Sequence, residues 1–443
     1  MKTKKTVNVI AIVALAAMTA ACGAGKTDGN DAAKSGGQAV KVEAKPVELT
    51  WYHVPTDGPV GDAFIQQYGE PIQRKYPNYS FQVLVNKEQN TLANMVMSKT
   101  SLDVMLASFA SLQSVKENGL LSDMSDLVKK HNFDLSRIEA EPLEMMRKME
   151  EGKLTSLPLY DLRLVLYYNK DLFDKFGVPF PKNGMTWGEL LDVAKRMTRT
   201  EGGVSYRGFV TPPVTVVNAN QRSLNYIETK TNRSAIMTED WKSHMETFIP
   251  FYTVPGYDAT PETMNSANMM NMFLKEQTAA MFVAYNSFAA TIKQNVPNWD
   301  AVSLPEMSDL RGVASQPYPV VLSIPSTSKH RDEAFLAIAQ LLSDEVQKER
   351  AAKLGFLAPL RNPAVKSAFA SDMVDWKGKN ISAVTAQKSP SPIAYSKYNA
   401  QGAAAIASAM LAVITGQKDV NTALREEDEK LNKTIETAEA ANK

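Results

Sequence analysis

His53, Thr56 and Asp57 follow the run VELTWYHV, and Ser108 and Phe109 follow LDVMLAS. Tyr285, Asn286 and Ser287 follow AAMFVA, while Gln316 and Tyr318 precede VVLSIPS. Most of these clusters set a hydrogen-bonding side chain beside an aromatic ring, and together they offer donors, acceptors and rigid apolar faces. That is the chemistry of holding a molecule. Trp376 joins the candidates because it stands in the polar string SDMVDWKGKN, where a tryptophan needs a reason. Residues for covalent chemistry are scarce. The four histidines (His53, His131, His244, His330) stand at no metal-ligand spacing and form no HExxH. The nearest approach to a GxSxG elbow, GVSYR, ends in Arg207. A paired-carboxylate hydrolase stays open, because 48 Asp and Glu contain many pairs and nothing selects one. No cofactor or metal is expected.

The elements that would position these residues alternate. Strands are expected at Val47–Val54, SFQVLVN, LDVMLAS, LVLYYN (Leu164–Asn169), AAMFVAY and VVLSIPS. Helical stretches lie between them, including TWGELLDVAKRMT with a capping box of Thr186 and Glu189. TPETMNSANMMNMFLKEQ is expected to start a helix with Thr260 as cap and Pro261 at the first helical position. Its methionines read as packing. Such alternation argues for parallel βαβ units. Open parallel sheets bind ligands at the carboxyl ends of their strands, where the candidate residues fall.

The N-terminus is a separate device. MKTKK is basic, Val7 to Met18 is apolar, and Thr19-Ala20-Ala21 precede Cys22. That is the layout of a secretory signal peptide, too short for a comfortable span. A cysteine directly after small residues resembles the lipobox of bacterial lipoproteins, with Thr19 where Leu is usual. The other reading is an ordinary signal peptide with an incidental thiol. Residues 23–46 hold no aromatic residue and read as a tether. Gly25-Lys26-Thr27 imitates the end of a P-loop, but no strand precedes it. With no other cysteine, the remaining chain has to be stabilised by core burial, and its length suggests two lobes. A net charge of +1 gives no pull toward nucleic acid.

Four strings carry a resemblance: GKLTSLPLYDLRLVLYYNKDLFDKFGVPFPKNGMTWGELLDVAKRMT, FLKEQTAAMFVAYNSF, VVLSIPSTSKHRDEAFLAIAQLLS and VITGQKDVNTALREEDEKLNKTI. In this order they resemble the family 1 extracellular solute-binding proteins of ABC importers, the group that includes maltose-binding protein. The resemblance implies an α/β, two-lobed type II periplasmic-binding-protein fold, each lobe a mainly parallel sheet flanked by helices. It implies lobe one at 47–160 plus 298–328, and lobe two at 161–297 plus 329–443. It adds Tyr160, Asp161 and Arg163 at the first crossing and Tyr395 or Tyr398 before a late helix. Asp161 and Arg163 flank Leu162, where some sugar binders of the family place a Glu. The expected ligand set is His53, Asp57, Ser108, Phe109, Tyr160, Asp161, Arg163, Tyr285, Asn286, Tyr318, Trp376, Tyr395 and Tyr398. The implied function is a lipid-anchored receptor, monomeric, that captures a carbohydrate and delivers it to membrane permease subunits. A secreted carbohydrate-active enzyme and a lipoprotein for a non-sugar ligand or a sensor kinase are the competing readings.

Overall fold

The computed structural model describes residues 45–441 apart from 56 and 57. The signal segment, Cys22, residues 23–44 of the tether, Thr56 and Asp57 lie outside the described residues. Lys45 to the C-terminus forms one compact unit. It is built on two five-stranded sheets and a small hairpin.

The first sheet contains β1 (Val47–His53), β2 (Tyr79–Val85), β3 (Val104–Ser108), β4 (Leu157–Leu162) and β12 (Tyr318–Ser323), in the order β2-β1-β3-β12-β4. The second contains β5 (Leu164–Asn169), β6 (Arg199–Glu201), β7 (Val204–Phe209), β10 (Ala279–Tyr285) and β11 (Trp299–Ser303), in the order β11-β5-β10-β7-β6. The hairpin pairs β8 (Ile227–Glu228) with β9 (Arg233–Ser234). All six residues of β5 are buried, which explains why LVLYYN shows no polar alternation.

Both sheets are mixed, which corrects the expectation of mainly parallel ones. β1 runs parallel to β2 and β3, but β12 runs antiparallel to β3 and β4. β5 runs antiparallel to both β10 and β11. The cause is the crossing. A βαβ unit returns the chain to the same end of its sheet and gives parallel neighbours. β5 and β12 instead carry the chain in from the other lobe, so they start at the end where their neighbours finish.

The lobe boundaries also need correction. Residues 299–303 pair with β5 in the second sheet rather than the first. Helices Arg331–Leu341 and Asp344–Leu354 pack on the first lobe, where Phe335, Ile338, Leu341 and Val346 join the core of Leu106 and Leu322. The chain next touches the second core at Leu357 and rejoins its buried interior at Phe369. Periodicity marks these segments as strand and helices but carries no information about which sheet they join.

Local signals mostly hold. Thr186 and Glu189 form the capping box at helix Trp187–Met197. The methionine-rich helix, however, starts at Ser266 with Asn265 as its cap. Thr260 instead accepts from the Thr263 amide at 3.1 Å in a local turn. Met264, Met269, Met272 and Met281 are buried in the second core.

Candidate functional site

Residues from the two sheets converge on a cavity of roughly 630 Å³. From the first lobe come Phe109, Gln113 and Glu117, at four-residue spacing on helix Phe109–Glu117, and Tyr318 at the start of β12. From the second come Tyr285 at the end of β10, and Val214 and Asn218 on helix Pro213–Ala219. Tyr395 and Asn399, at the approach to helix Asn399–Ile414, complete it.

Each wall is fixed by its surroundings. Tyr167 donates to the carbonyls of Tyr285 and Asn286 at 3.1 and 3.2 Å and anchors the end of β10. The rings of Tyr285 and Tyr318 then meet with centroids 5.0 Å apart and planes inclined at 37°. Burial pushes the Tyr285 hydroxyl well above its ordinary range, so it stays protonated. Tyr395 packs against the first lobe's core, with the Lys116 ammonium 5.6 Å from its ring centre. Gly402 lets the late helix approach Tyr226: a Cβ there would stand 2.4 Å from the Tyr226 Cβ. Four expected residues, Phe109, Tyr285, Tyr318 and Tyr395, are therefore brought together. Ser108, next to Phe109, spends its hydroxyl on Ser111 at 3.1 Å.

A second group of expected residues forms a buried knot where β4 passes into β5. Asp161 accepts from the Tyr318 amide at 2.8 Å, and its own amide donates to Leu357 O at 2.8 Å. The Arg163 guanidinium donates to Gln387 O at 2.6 Å and to Ser389 Oγ at 2.9 Å. Asn286 accepts from the Arg163 amide at 2.9 Å and donates to Gly355 O at 3.0 Å. Burial raises the Asp161 carboxyl to about 6, against the opposing pull of Arg163 and the backbone donors. All three side chains bind the chain to itself at the crossing, and none lines the cavity beside Tyr285. Asp161 and Arg163 border a separate space of roughly 460 Å³ with Leu357 and Gln387.

The remaining candidates are core or support. His53 is fully buried among Trp51, Phe64 and Tyr68, and burial lowers its pKa to about 4. Tyr160 stacks on Phe356 with centroids 3.9 Å apart. Trp376 is 1% exposed and packs edge-on against Trp299 and Phe369, which corrects its placement in a cleft. Tyr398 is buried and donates to Glu439 at 2.6 Å, so Tyr395 is the late aromatic that faces the cavity.

Gln113, Asn218 and Asn399 were missed. Each stands four residues after a lining residue, at Phe109, Val214 and Tyr395. Within the two helices that spacing puts both members on one face, which was the available signal. Among the described residues, no group of His, Cys, Asp and Glu could hold a metal ion. No helix among them is long and apolar enough to cross a membrane.

Residues 56–348 match the family of bacterial extracellular solute-binding proteins. The chain belongs to that family. Solved structures with the same two-lobed fold include an ABC substrate-binding protein of Listeria monocytogenes in complex with cycloalternan. It has a TM-score of 0.70 and 19% identity, over 88% of this chain and 99% of that one. A sugar transporter protein of Rhizobium etli in an open conformation has a TM-score of 0.68 and 20% identity, over 87% and 98%. A cyclic α-maltosyl-1,6-maltose binding protein of Arthrobacter globiformis has a TM-score of 0.67 and 15% identity, over 88% and 100%.

Proposed function

We propose that this solute-binding protein captures an oligosaccharide in the cavity between its lobes and delivers it to the permease of an ABC importer. The observation that carries the reading is the pairing of Tyr285 and Tyr318, rings from opposite sheets that share one cavity with Phe109, Tyr395 and a set of amide side chains. Aromatic faces suit the C–H faces of sugar rings, and amides suit their hydroxyls. The volume falls within the roughly 300–1,000 Å³ of small-molecule sites. The carbohydrates named for the structural neighbours support the same class. No bond of the ligand is broken. Binding favours lobe closure to the extent that the ligand prefers the closed state. The protein is anchored on the extracytoplasmic face through lipidated Cys22 and acts as a monomer.

The test is calorimetric titration of the chain from Gly23 onward with maltotriose, cellotriose, mannotriose and xylotriose. Micromolar binding of one of them, with the sugar recovered intact, is expected. No heat from any, or a cleaved product, would overturn the reading. Mass spectrometry of the membrane fraction should find Cys22 as the acylated N-terminus; a free thiol there would remove the anchor.

A further inference from the structure

Three oxygens on the cavity wall have no hydrogen-bond partner although they are shut off from solvent: Gln113 Oε1, Tyr395 Oη and Asn399 Oδ1. Buried polar atoms are normally paired, so an unpaired set on one cavity calls for an explanation. The orientation of both amides is fixed. Gln113 Nε2 donates to the Glu117 carboxylate at 2.7 Å, and Asn399 Nδ2 donates to Ala394 O at 3.0 Å. Carboxylate and carbonyl only accept, so neither amide can flip, and each keeps its oxygen unpaired on a residue that lines the cavity. The cations beside this end are already committed. Lys116 pairs with Glu150 at 3.1 Å and donates to Met149 O at 2.8 Å, and Lys397 pairs with Glu439 at 2.9 Å.

We infer that Gln113, Tyr395 and Asn399 form a subsite that requires hydrogen-bond donors, and that it takes a neutral hydroxyl-bearing sugar unit and rejects a uronate or sulfated one. The inference rests on the proposed sugar-binding function and adds the charge class of the ligand at this end. A hydroxyl gives its proton to the fixed oxygens and can accept in turn from Tyr395. A carboxylate would face two acceptors and no free cation, with its own desolvation uncompensated. The subsite draws Gln113 from the first lobe and the other two from the segment entering the late helix, so a bound hydroxyl set bridges the lobes.

The experiment uses the chain from Gly23 onward and three variants: Tyr395→Phe, Gln113→Met and Asn399→Leu. Each is titrated with whichever neutral trisaccharide of the panel the unaltered protein binds best, and its unliganded melting temperature is measured. Each variant should weaken binding about 10-fold. The unliganded melting temperature should hold or rise in Tyr395→Phe, because the oxygen removed has no protein partner to lose. It should fall in Gln113→Met and Asn399→Leu, which also lose the amide bonds to Glu117 and Ala394 O. Trigalacturonate should bind at least ~100-fold more weakly than the best neutral trisaccharide, since an unpaired buried charge costs more than a lost neutral bond. Unchanged affinity in Tyr395→Phe, which loses a single oxygen, would overturn the subsite even if the larger replacements disturb folding. Equal or tighter binding of trigalacturonate would overturn its preference for donors. If the unaltered protein binds no neutral sugar, the sugar-binding reading fails, and the subsite fails with it.

Discussion

Tyr285 and Asn286 are neighbours in sequence and opposites in role. Tyr285 turns its ring into the cavity against Tyr318, while Asn286 turns away and joins Arg163 to Gly355. The same contrast separates two regions of the interlobe surface. In the crossing knot, the side chains of Asp161, Arg163 and Asn286 spend their polar atoms on backbone groups and on Ser389. In the cavity, Gln113, Tyr395 and Asn399 keep oxygens in reserve. The lesson is that a polar side chain near a cleft is assigned by where its hydrogen bonds already go, since both regions have the residue types a sugar site would use.

The largest test of this comparison is Asn286→Ala. It strips the partners from the Arg163 amide and the Gly355 carbonyl and should cost about 2–5 kcal/mol of stability, measured by urea unfolding. A loss no larger than for a surface residue would show that the knot is not architectural.

Two buried histidines sharpen the comparison, because His53 and His244 are fully buried yet lie outside the cavity. They are enclosed by aromatic rings, and burial lowers both pKa values to about 4 from 6.5. Their folded pKa lies below the unfolded value, so the unfolded chain binds more protons between those limits. Stability therefore falls as pH drops from 6.5 to 4, by on the order of 3 kcal/mol for each histidine. Asp161 works the other way: its raised pKa of about 6 makes the folded state gain stability as pH drops from about 6 to 4. Two histidines outweigh one aspartate, so net acid lability is expected. His244→Phe should flatten the pH profile of the melting temperature almost completely, because His53 and Asp161 then nearly cancel. An unchanged profile would show that the histidines are not buried as neutral rings.

Smaller effects mark the limits of each region. Gly402→Ala presses the late helix against Tyr226 and should cost about 1–3 kcal/mol. It should also weaken sugar binding, because that helix carries Asn399 into the cavity. Thr186→Ala removes a helix cap remote from both regions and should cost about 1 kcal/mol with affinity unchanged. Comparing their calorimetric affinities separates a displaced wall from a general loss of stability.

Strand ends were legible because β1, β3 and β10 are compact apolar runs followed by polar or aromatic residues. That signal pointed to Phe109 and Tyr285, which line the cavity together with Tyr318 at the start of β12. The fate of a polar side chain was not legible. Asn286 finds its partners at Arg163 and Gly355, and His53 is enclosed by Phe64 and Tyr68, contacts that no local spacing announces. Trp376 misled for the same reason, since its polar neighbours in sequence hide Trp299 and Phe369, its neighbours in space. The second and third crossings were misplaced because a strand such as Trp299–Ser303 reads the same in either lobe.

The most direct test compares the two sequence neighbours by calorimetry at 10 °C, where a destabilised variant remains folded. Tyr285→Ala should lose sugar affinity by about 10-fold or more while keeping most of its stability. Asn286→Ala should lose stability and keep most of its affinity. Equal affinities for Tyr285→Ala and the unaltered protein would contradict the assignment of this cavity as the ligand site.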